Sequence, residues 1–174
     1  MMSFLENATI NYEFAWVQAD RSRGDTVILD NGSVDYSYLF DSGIGIGQVN
    51  AVWHATGILN VGEQKQFDLF ALPRNIFGSV INTNLSGGSV KAIIVENLNT
   101  GVNQNIVFNN SGTAGFTAPF QTGNVYLNIA PESTFAISNK FGYPVSTGQR
   151  YFYLKDINYS GSIQYEIAII GVAL

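Results

Sequence analysis

The stretch "SIQYEIAII", residues 162–170, decides the fold class of this chain. Its large apolar side chains stand at every second position, at Ile163, Tyr165, Ile167 and Ile169. Successive side chains of a β-strand point to opposite faces of the sheet, whereas the apolar face of a helix recurs about every 3.6 residues. The stretch is therefore predicted to be a half-buried strand.

The same alternation recurs along the chain. It is present in "NVYLNIAP" (124–131) and in "TINYEFAWV" (9–17). "SVKAIIVENL" (89–98) is apolar on both faces and is predicted to be an interior strand. Turn signals such as Gly87-Gly88 separate these runs at intervals of about ten residues. The sequence thus predicts an all-β fold, a jelly-roll-like β-sandwich with an N-terminal arm or added strands.

Two local structures are predicted from turn chemistry. In "VILDNGSVDY" (27–36), Asn31-Gly32 tolerates the positive φ angles of a type I′ turn, which predicts a hairpin centred there. In "LFALPRNIFG" (69–78), Pro73 is expected to open a single helical turn that Gly78 closes, forming a short crossover.

The glycine stretch at 43–47 is the one candidate boundary in the chain. It predicts an acidic N-terminal arm or extra strands over residues 1–47 and a β-sandwich core over residues 48–174, within one folded unit. A chain of 174 residues is long enough to bury one core of its own.

Composition limits the partners. The formal net charge is −5, with nine of the thirteen acidic residues in positions 1–68, which opposes binding to nucleic acid phosphates. The longest apolar run, "IAIIGVAL" (167–174), is far shorter than the roughly 20 residues that span a bilayer. The start of the chain also lacks the basic and apolar segments of a signal peptide. We therefore expect neither a nucleic acid nor a membrane partner, and the absence of cysteine excludes disulfides.

The glycines and the histidine of "GIGIGQVNAVWHAT" (43–56) are the first candidates for chemistry. A phosphate-binding loop needs a helix after its glycines, but the residues that follow alternate like a strand. The glycines are predicted to let a connector bend sharply or lie close to another backbone.

His54 is predicted to be an exposed or subunit-contact residue. It is the single histidine of a chain without cysteine, so zinc ligands are missing, and no G-x-S-x-G motif presents a serine nucleophile to it. We expect no enzyme, with no catalytic, cofactor-binding or metal-binding residues. A pair of carboxylates remains the alternative, because acids remote in the chain can meet in space.

Two further segments carry residue types that are found in binding sites. "DNGSVD" (30–35) groups the oxygen ligands Asp30, Asn31 and Asp35, but the twelve-residue calcium loop is absent and no metal is predicted. "RYFYLKDINY" (150–159) interleaves aromatic and basic side chains, namely Tyr151, Tyr153, Tyr159, Arg150 and Lys155. Such a face can stack bases or sugars, although cross-strand aromatic packing is its commoner use.

A family resemblance is carried by motifs in a fixed order. The first three are "GIGIGQVNAVWHATGIL" (43–59), "FDLFALPRNIFGSVI" (67–81) with Asp68, Leu69, Phe77 and Gly78, and "VKAIIVENLN" (90–99) with Lys91 and Asn97. The last three are "FTAPF" (116–120), "VYLNIAPESTFAIS" (125–138) and the terminal "YEIAIIGVAL" (165–174). Over residues 40–174 this order resembles a family of small tailed-phage virion structural proteins.

The chain departs from that family at two places. Asn50, His54 and Thr56 stand where acidic and arginine residues often follow Gly-Gln, and the segment 131–133 replaces Pro-Gly-Gly. No binding residue is therefore carried over from the family.

The resemblance implies a β-sandwich component of the virion, assembled in the host cytoplasm. The role it favours is a capsid decoration or cement protein, followed by a neck or tail accessory. The implied partners are the major capsid protein or other virion proteins and further copies of the chain, with a trimer as the first guess. A carbohydrate-binding or receptor-binding module of a tail or head fibre is the alternative, motivated by Trp16, Trp53 and the tyrosines.

Overall fold

A computed structural model of the chain describes residues 5, 7–23, 26–76, 79–120, 124–157 and 161–174, without the side chains at 14, 16–31, 75, 76 and 79. Within these ranges it contains thirteen β-strands and one 3-10 turn at Ala118–Phe120. The strands are β1 (Asn7–Arg23), β2 (Thr26–Ser42), β3 (Gln48–Val49), β4 (Ala51–Leu59), β5 (Gln64–Asp68), β6 (Leu72–Ile76), β7 (Ser79–Thr83), β8 (Ser89–Asn97), β9 (Ile106–Asn109), β10 (Tyr126–Ile129), β11 (Thr134–Pro144), β12 (Tyr151–Asp156) and β13 (Ile163–Val172).

Eight of these strands form two four-stranded antiparallel sheets. Their orders are β11-β8-β13-β4 and β10-β9-β12-β5. Each sheet therefore interleaves strands that are distant in the chain, and the chain crosses repeatedly from one sheet to the other. This is the strand order of a jelly roll, with its two Greek keys. The predicted fold class, an all-β jelly-roll-like sandwich with added N-terminal strands, is confirmed.

One hydrophobic core lies between the two sheets. The alternation in 162–170 holds, because Ile163, Tyr165, Ile167 and Ile169 are all buried. Aromatic rings fill the centre, where Phe67 stacks on Phe152 with ring centroids 5.0 Å apart. The pattern in 124–131 also holds, since Ile129 is buried and Tyr126 is exposed on the opposite face.

The strands β1 and β2 form a hairpin, which we call the arm. They pair antiparallel from Asn7↔Asp41 to Arg23↔Thr26. The predicted hairpin turn at Asn31-Gly32 is wrong, because both residues lie inside β2 and face Val17 and Trp16. Each of the two long alternating segments needs a partner of equal length, and a turn at position 31 would have left most of β1 unpaired. The residues that connect β1 to β2 lie outside the described ranges.

The predicted helical turn at 69–78 is also wrong. Leu72–Ile76 and Ser79–Thr83 pair as a two-stranded ribbon instead. Proline is tolerated on edge strands, and both strands of such a ribbon are edges, so Pro73 does not prevent pairing. Leu72 is buried in the core and fixes the ribbon to the body. Gly78, which was expected to close the turn, lies outside the described residues.

The glycine connector before β4 behaves as expected. A strand follows it, as predicted, and not the helix that a phosphate-binding loop needs. Gly43 and Gly47 have backbone φ angles of +140° and +70°, which residues other than glycine rarely adopt. The amide of Gly47 also donates to the carbonyl of Lys140, which ties the connector to β11.

Candidate docking surfaces

The base of the arm covers the outer face of the sheet β11-β8-β13-β4. Ile10, Phe40 and Val49 pack there against Ala92 of β8 and Ile170 of β13. This second small core explains why β8 is apolar on both faces. The prediction of an interior strand at 89–98 is thereby confirmed.

Beyond its base the arm has one apolar and one acidic face. Tyr12 pairs with Tyr36, and the exposed fractions of Tyr36 and Val34 are 47% and 62%. On the opposite face Glu13 lies directly across from Asp35. Like charges at directly opposed positions destabilise a sheet, so this pair favours a cationic neighbour.

The phenol of Tyr12 links the arm to β11. Burial raises its pKa above the usual range and Tyr36 adds to that increase, while a hydrogen bond with Ser138 acts in the opposite direction. Burial likewise raises the pKa of Tyr143, near the end of β11. Tyr12 thus sits where the arm leaves the body, on the β11 side of the sheet.

His54 lies on the outward face of β4, as predicted for an exposed residue. Its Nε2 is 2.8 Å from Oε1 of Glu166 on β13, and the two side chains are 52% and 44% exposed. An ion pair this open to water contributes little to stability. His54 and Glu166 therefore form an exposed contact between the neighbouring strands β4 and β13.

A groove with a volume of 840 Å³ runs along the edge of β4. Its lining includes Ala55, from the inward face of β4, and Thr56, from the outward face. The ribbon β6–β7 forms the other wall, with Arg74 and Asn82. No residue that lines this groove carries a carboxylate.

The aromatic candidates are largely structural. Trp53 is only 3% exposed, and its indole N–H donates to the carbonyl of Pro73 at 2.8 Å.

Arg150 lies over the ring of Tyr151 at 4.5 Å and pairs with Asp68, the carboxylate of the second family-like motif, at 3.4 Å. Tyr153 is half-buried on the outward face of β12. Tyr159 lies outside the described residues, as do the side chains of Trp16, Asp30 and Asn31.

Of the three calcium candidates, only Asp35 has a side chain that the structure describes. Asp35 accepts a hydrogen bond from Ser33 on its own strand, at 3.1 Å. In the described part of the chain, no group of three or more histidine, cysteine or acidic residues is placed to hold a metal ion. That the protein binds no metal stays a prediction.

Two polar residues of the resemblance motifs have structural roles that the sequence did not reveal. Lys91 is buried, and its Nζ donates to the carbonyls of Lys140 and Phe141 at 3.0 Å each. Burial lowers the pKa of Lys91. Asn97 is fully buried, and its amide joins the loop between β8 and β9, at Asn99 and Gln104, to Ile129 at the end of β10. In the sequence, the one sign of these structural roles is that each polar residue lies within a strongly apolar strand.

No helix in the described ranges is long and apolar enough to cross a membrane.

Comparisons with known proteins add little. No family model matches the chain, and no curated protein matches it. Among solved structures, the chain is similar to one described as the capsid asymmetric unit of cyanophage Pam1, at 11% identity and a TM-score of 0.39. That likeness covers 71% of this chain and 84% of the other. A likeness of this degree supports no argument about function, so the virion role implied by the sequence motifs stays a prediction.

Proposed function

We propose that this chain is a non-enzymatic structural protein of a phage particle, and that it decorates or cements the capsid by binding the major capsid protein and its own copies. A neck or tail accessory uses the same kind of surface and is the nearest variant of this proposal. A closed homo-oligomer, with a trimer as the simplest case, would bury the apolar surfaces that one copy leaves exposed.

The arm carries the proposal. Two strands of 17 residues extend from a jelly-roll body, and their packing on that body is concentrated near Ile10 and Phe40. Beyond that base the apolar face continues through Tyr12, Tyr36 and Val34 and is open to solvent. Exposed apolar surface of this kind marks an interaction site on a soluble protein.

The surface chemistry supports a structural role. Only 12% of the residues are charged, and a cement protein needs broad, weakly charged contact surfaces of this type. The motif order of residues 40–174 points to the same class of protein. Together these observations favour docking over catalysis.

Association with particles tests the proposal. Purified protein would be mixed with particles of the encoding phage that lack it, and binding would be measured by sedimentation and mass spectrometry. We expect binding to saturate and to raise the temperature at which the particles release DNA. Replacing Tyr12, Val34 and Tyr36 by serine should weaken binding by about tenfold or more, since apolar anchors dominate interface energies.

A matched control separates arm docking from a general loss of apolar surface. Val102 and Tyr126 are exposed on the body, at 88% and 65%, and serine at both should leave binding unchanged. Absence of the protein from intact particles, together with no binding of the purified chain, would contradict the proposal.

One observation favours a carbohydrate-binding module as the second candidate. On the outer face of the sheet β10-β9-β12-β5, Tyr126, Tyr153 and Gln66 lie in one row across the strands, with the buried Asn109 between the two tyrosines. The tyrosines offer stacking, and the exposed amide of Gln66 offers hydrogen bonds to a sugar. A glycan array in which Tyr126→Ala and the unmodified protein give the same background signal would remove this candidate.

A further inference from the structure

The four edges of the jelly roll are protected unequally. Natural sheet edges avoid pairing with other chains by being short, by carrying lysine or proline, or by bulging. β10 has only four residues, and β5 has five with Lys65 among them. β11 is longer, but its register shifts between Ser138 and Tyr143.

β4 has none of these devices, although the ribbon β6–β7 lies beside it and Trp53 of β4 donates a hydrogen bond to Pro73 of the ribbon. Its nine residues pair with β13 in an unbroken register from Ala51 to Leu59 and include no lysine or proline. β4 stands last in its sheet, so in the described part of the chain its second edge is unpaired. The groove described above lies along that edge, and Arg74 on its far wall is exposed.

The arm presents a second open edge. In the described residues β1 pairs only with β2, and its 17 residues also lack lysine and proline. A two-stranded hairpin is at best marginally stable in water, so a third strand would stabilise it. At about 3.3 Å per residue, β1 is roughly 55 Å long and extends well past the residues that pack on its own body.

The charges of the arm and the groove are complementary. Residues 1–47 hold seven acidic and two basic residues, which accounts for the whole net charge of −5, whereas residues 48–174 hold six of each. Two arms would therefore repel each other. Glu13 and Asp35 are also directly opposed on one face of the arm, and a cation placed near them would relieve their repulsion.

The start of the arm and its free part lie at opposite ends of the sheet, since Leu5, just before β1, lines the β4 groove of its own copy. Residues Thr9 to Glu13 lie beside Ile94 of β8 and Thr134 of β11. β11 and β4 are opposite ends of the same sheet. The part of the arm beyond Glu13 therefore leaves its body on the side away from its own β4 groove, and a second copy must supply the edge that accepts it.

We propose that β1 of one copy adds as a strand to the open edge of β4 in a second copy, with the acidic face of the arm near Arg74. Strand addition to an exposed edge gains backbone hydrogen bonds for both partners. The donor and acceptor surfaces differ, so the contact is heterologous, and repeats of it form a ring or an open chain of copies according to the rotation between neighbours. The inference deepens the proposed function, since it rests on the arm as a docking element and names a second copy as its partner.

Cross-linking between copies tests the proposal. The chain has no cysteine, so single introduced thiols react without background. One tagged batch would carry Asn11→Cys, Glu13→Cys or Ala15→Cys in β1, and a differently tagged batch would carry Thr56→Cys in β4. The two would be co-expressed, purified without particles and treated with a short thiol-specific cross-linker that tolerates differences in register.

We expect a product that carries both tags for at least one of the three arm positions. A matched pair, Val102→Cys with Thr56→Cys, should give none, because residue 102 is also exposed but lies outside the arm. Arg74→Glu should lower the yield about fivefold, in line with an exposed ion pair, while Lys155→Glu should not. Circular dichroism spectra of each variant, compared with that of the unmodified protein, would verify that it folds.

No mixed product from any arm position in folded protein, or equal yields from the arm and from residue 102, would overturn the proposal. The assay contains no virus particles, so its result is independent of whether the protein binds a capsid.

Discussion

The side chain of Asn50 pairs with the backbone of Ala173. Its Nδ2 donates to the carbonyl of Ala173 at 2.8 Å, and its Oδ1 accepts from the amide of Ala173 at 2.7 Å. The amide group thereby takes the place of a peptide unit just beyond the end of β13. Asn50 joins the end of the glycine connector to the C-terminal segment, across the edge of the sheet that faces the groove.

Asn50→Ala is expected to destabilise the protein. Two hydrogen bonds are lost at an exposed site, which corresponds to about 1–2 kcal/mol. For a chain of this size that lowers the melting temperature by roughly 2–8 °C, measurable by differential scanning fluorimetry. Asn128→Ala, at an exposed position of β10, is the control and should leave the melting temperature unchanged. Equal effects of the two substitutions would show that the Asn50 pairing is not a stabilising contact.

Sequence periodicity predicted the strands that have one buried face. In β13 and β10 every second side chain meets the core, so alternation alone identifies them. It failed where a local turn signal competed with long-range pairing. Asn31-Gly32 is compatible with a turn, but the register that pairs Tyr12 with Tyr36 leaves no room for one. Pairing between distant segments has no signature in a short window of sequence.

The surfaces were harder to predict than the fold. An acidic N-terminal arm could be proposed from composition, but the direct opposition of Glu13 and Asp35 depends on the register of two strands. The open edge of β4 depends on the order of strands in the sheet, which periodicity does not determine. Trp53 was a candidate for sugar stacking and is instead buried, because its strand turns that face toward the core.

Gly57→Ala is expected to disrupt the packing of Tyr165. The two residues are direct partners between β4 and β13, and a Cβ at position 57 would collide with the ring and hydroxyl of the buried tyrosine. Overpacking of this kind costs about 1–3 kcal/mol. Urea unfolding measures the loss.

Gly148→Ala is the matched control for Gly57→Ala, since a Cβ at position 148 meets no atom within 4 Å. It should be neutral or slightly stabilising. Adding Tyr165→Leu to Gly57→Ala should cost less than the sum of the two single changes, because the collision is removed. Strict additivity would show that the glycine is not required by Tyr165.

Asn97→Asp is expected to be strongly destabilising near neutral pH. The Nδ2 of Asn97 donates to the carbonyls of Gln104 and Ile129 at 2.7 Å and 3.0 Å, and a carboxylate there would face two carbonyl oxygens in a buried site. The cost should be about 3–5 kcal/mol.

The effect of Asn97→Asp should shrink at acidic pH. A protonated carboxyl group regains one donor, so the difference in unfolding free energy from the unmodified protein is expected to fall between pH 7 and pH 4. Asn128→Asp, exposed on β10, should be nearly neutral at both values. A loss at position 97 that does not change with pH would mean that the missing donors are not its cause.

Lys91→Met tests the buried ammonium group at the junction of β8, β11 and the arm connector. Burial lowers the folded-state pKa of Lys91, so between that pKa and the ordinary value of about 10.4 the unfolded chain binds more protons than the folded one. Stability from this group therefore rises as the pH increases through that window, and it is lost again as the pH falls. Methionine does not titrate, so the unfolding free energy of the unmodified protein minus that of Lys91→Met should increase toward pH 10.

The tyrosines do not confound this comparison, although they titrate in the same range. Tyr12 and Tyr143 have raised pKa values, which lowers stability at high pH, but they are present in both proteins and cancel in the difference. At pH 7 we expect the unfolding free energy of Lys91→Met to lie within about 1.5 kcal/mol of that of the unmodified protein. A buried charge is replaced there by an apolar chain of similar length. Lys91→Ala should lower the unfolding free energy by about 2–4 kcal/mol, since it also leaves a cavity. A difference between the unmodified protein and Lys91→Met that stays constant from pH 7 to pH 10 would show that the ammonium group is as well solvated in the fold as in the unfolded chain.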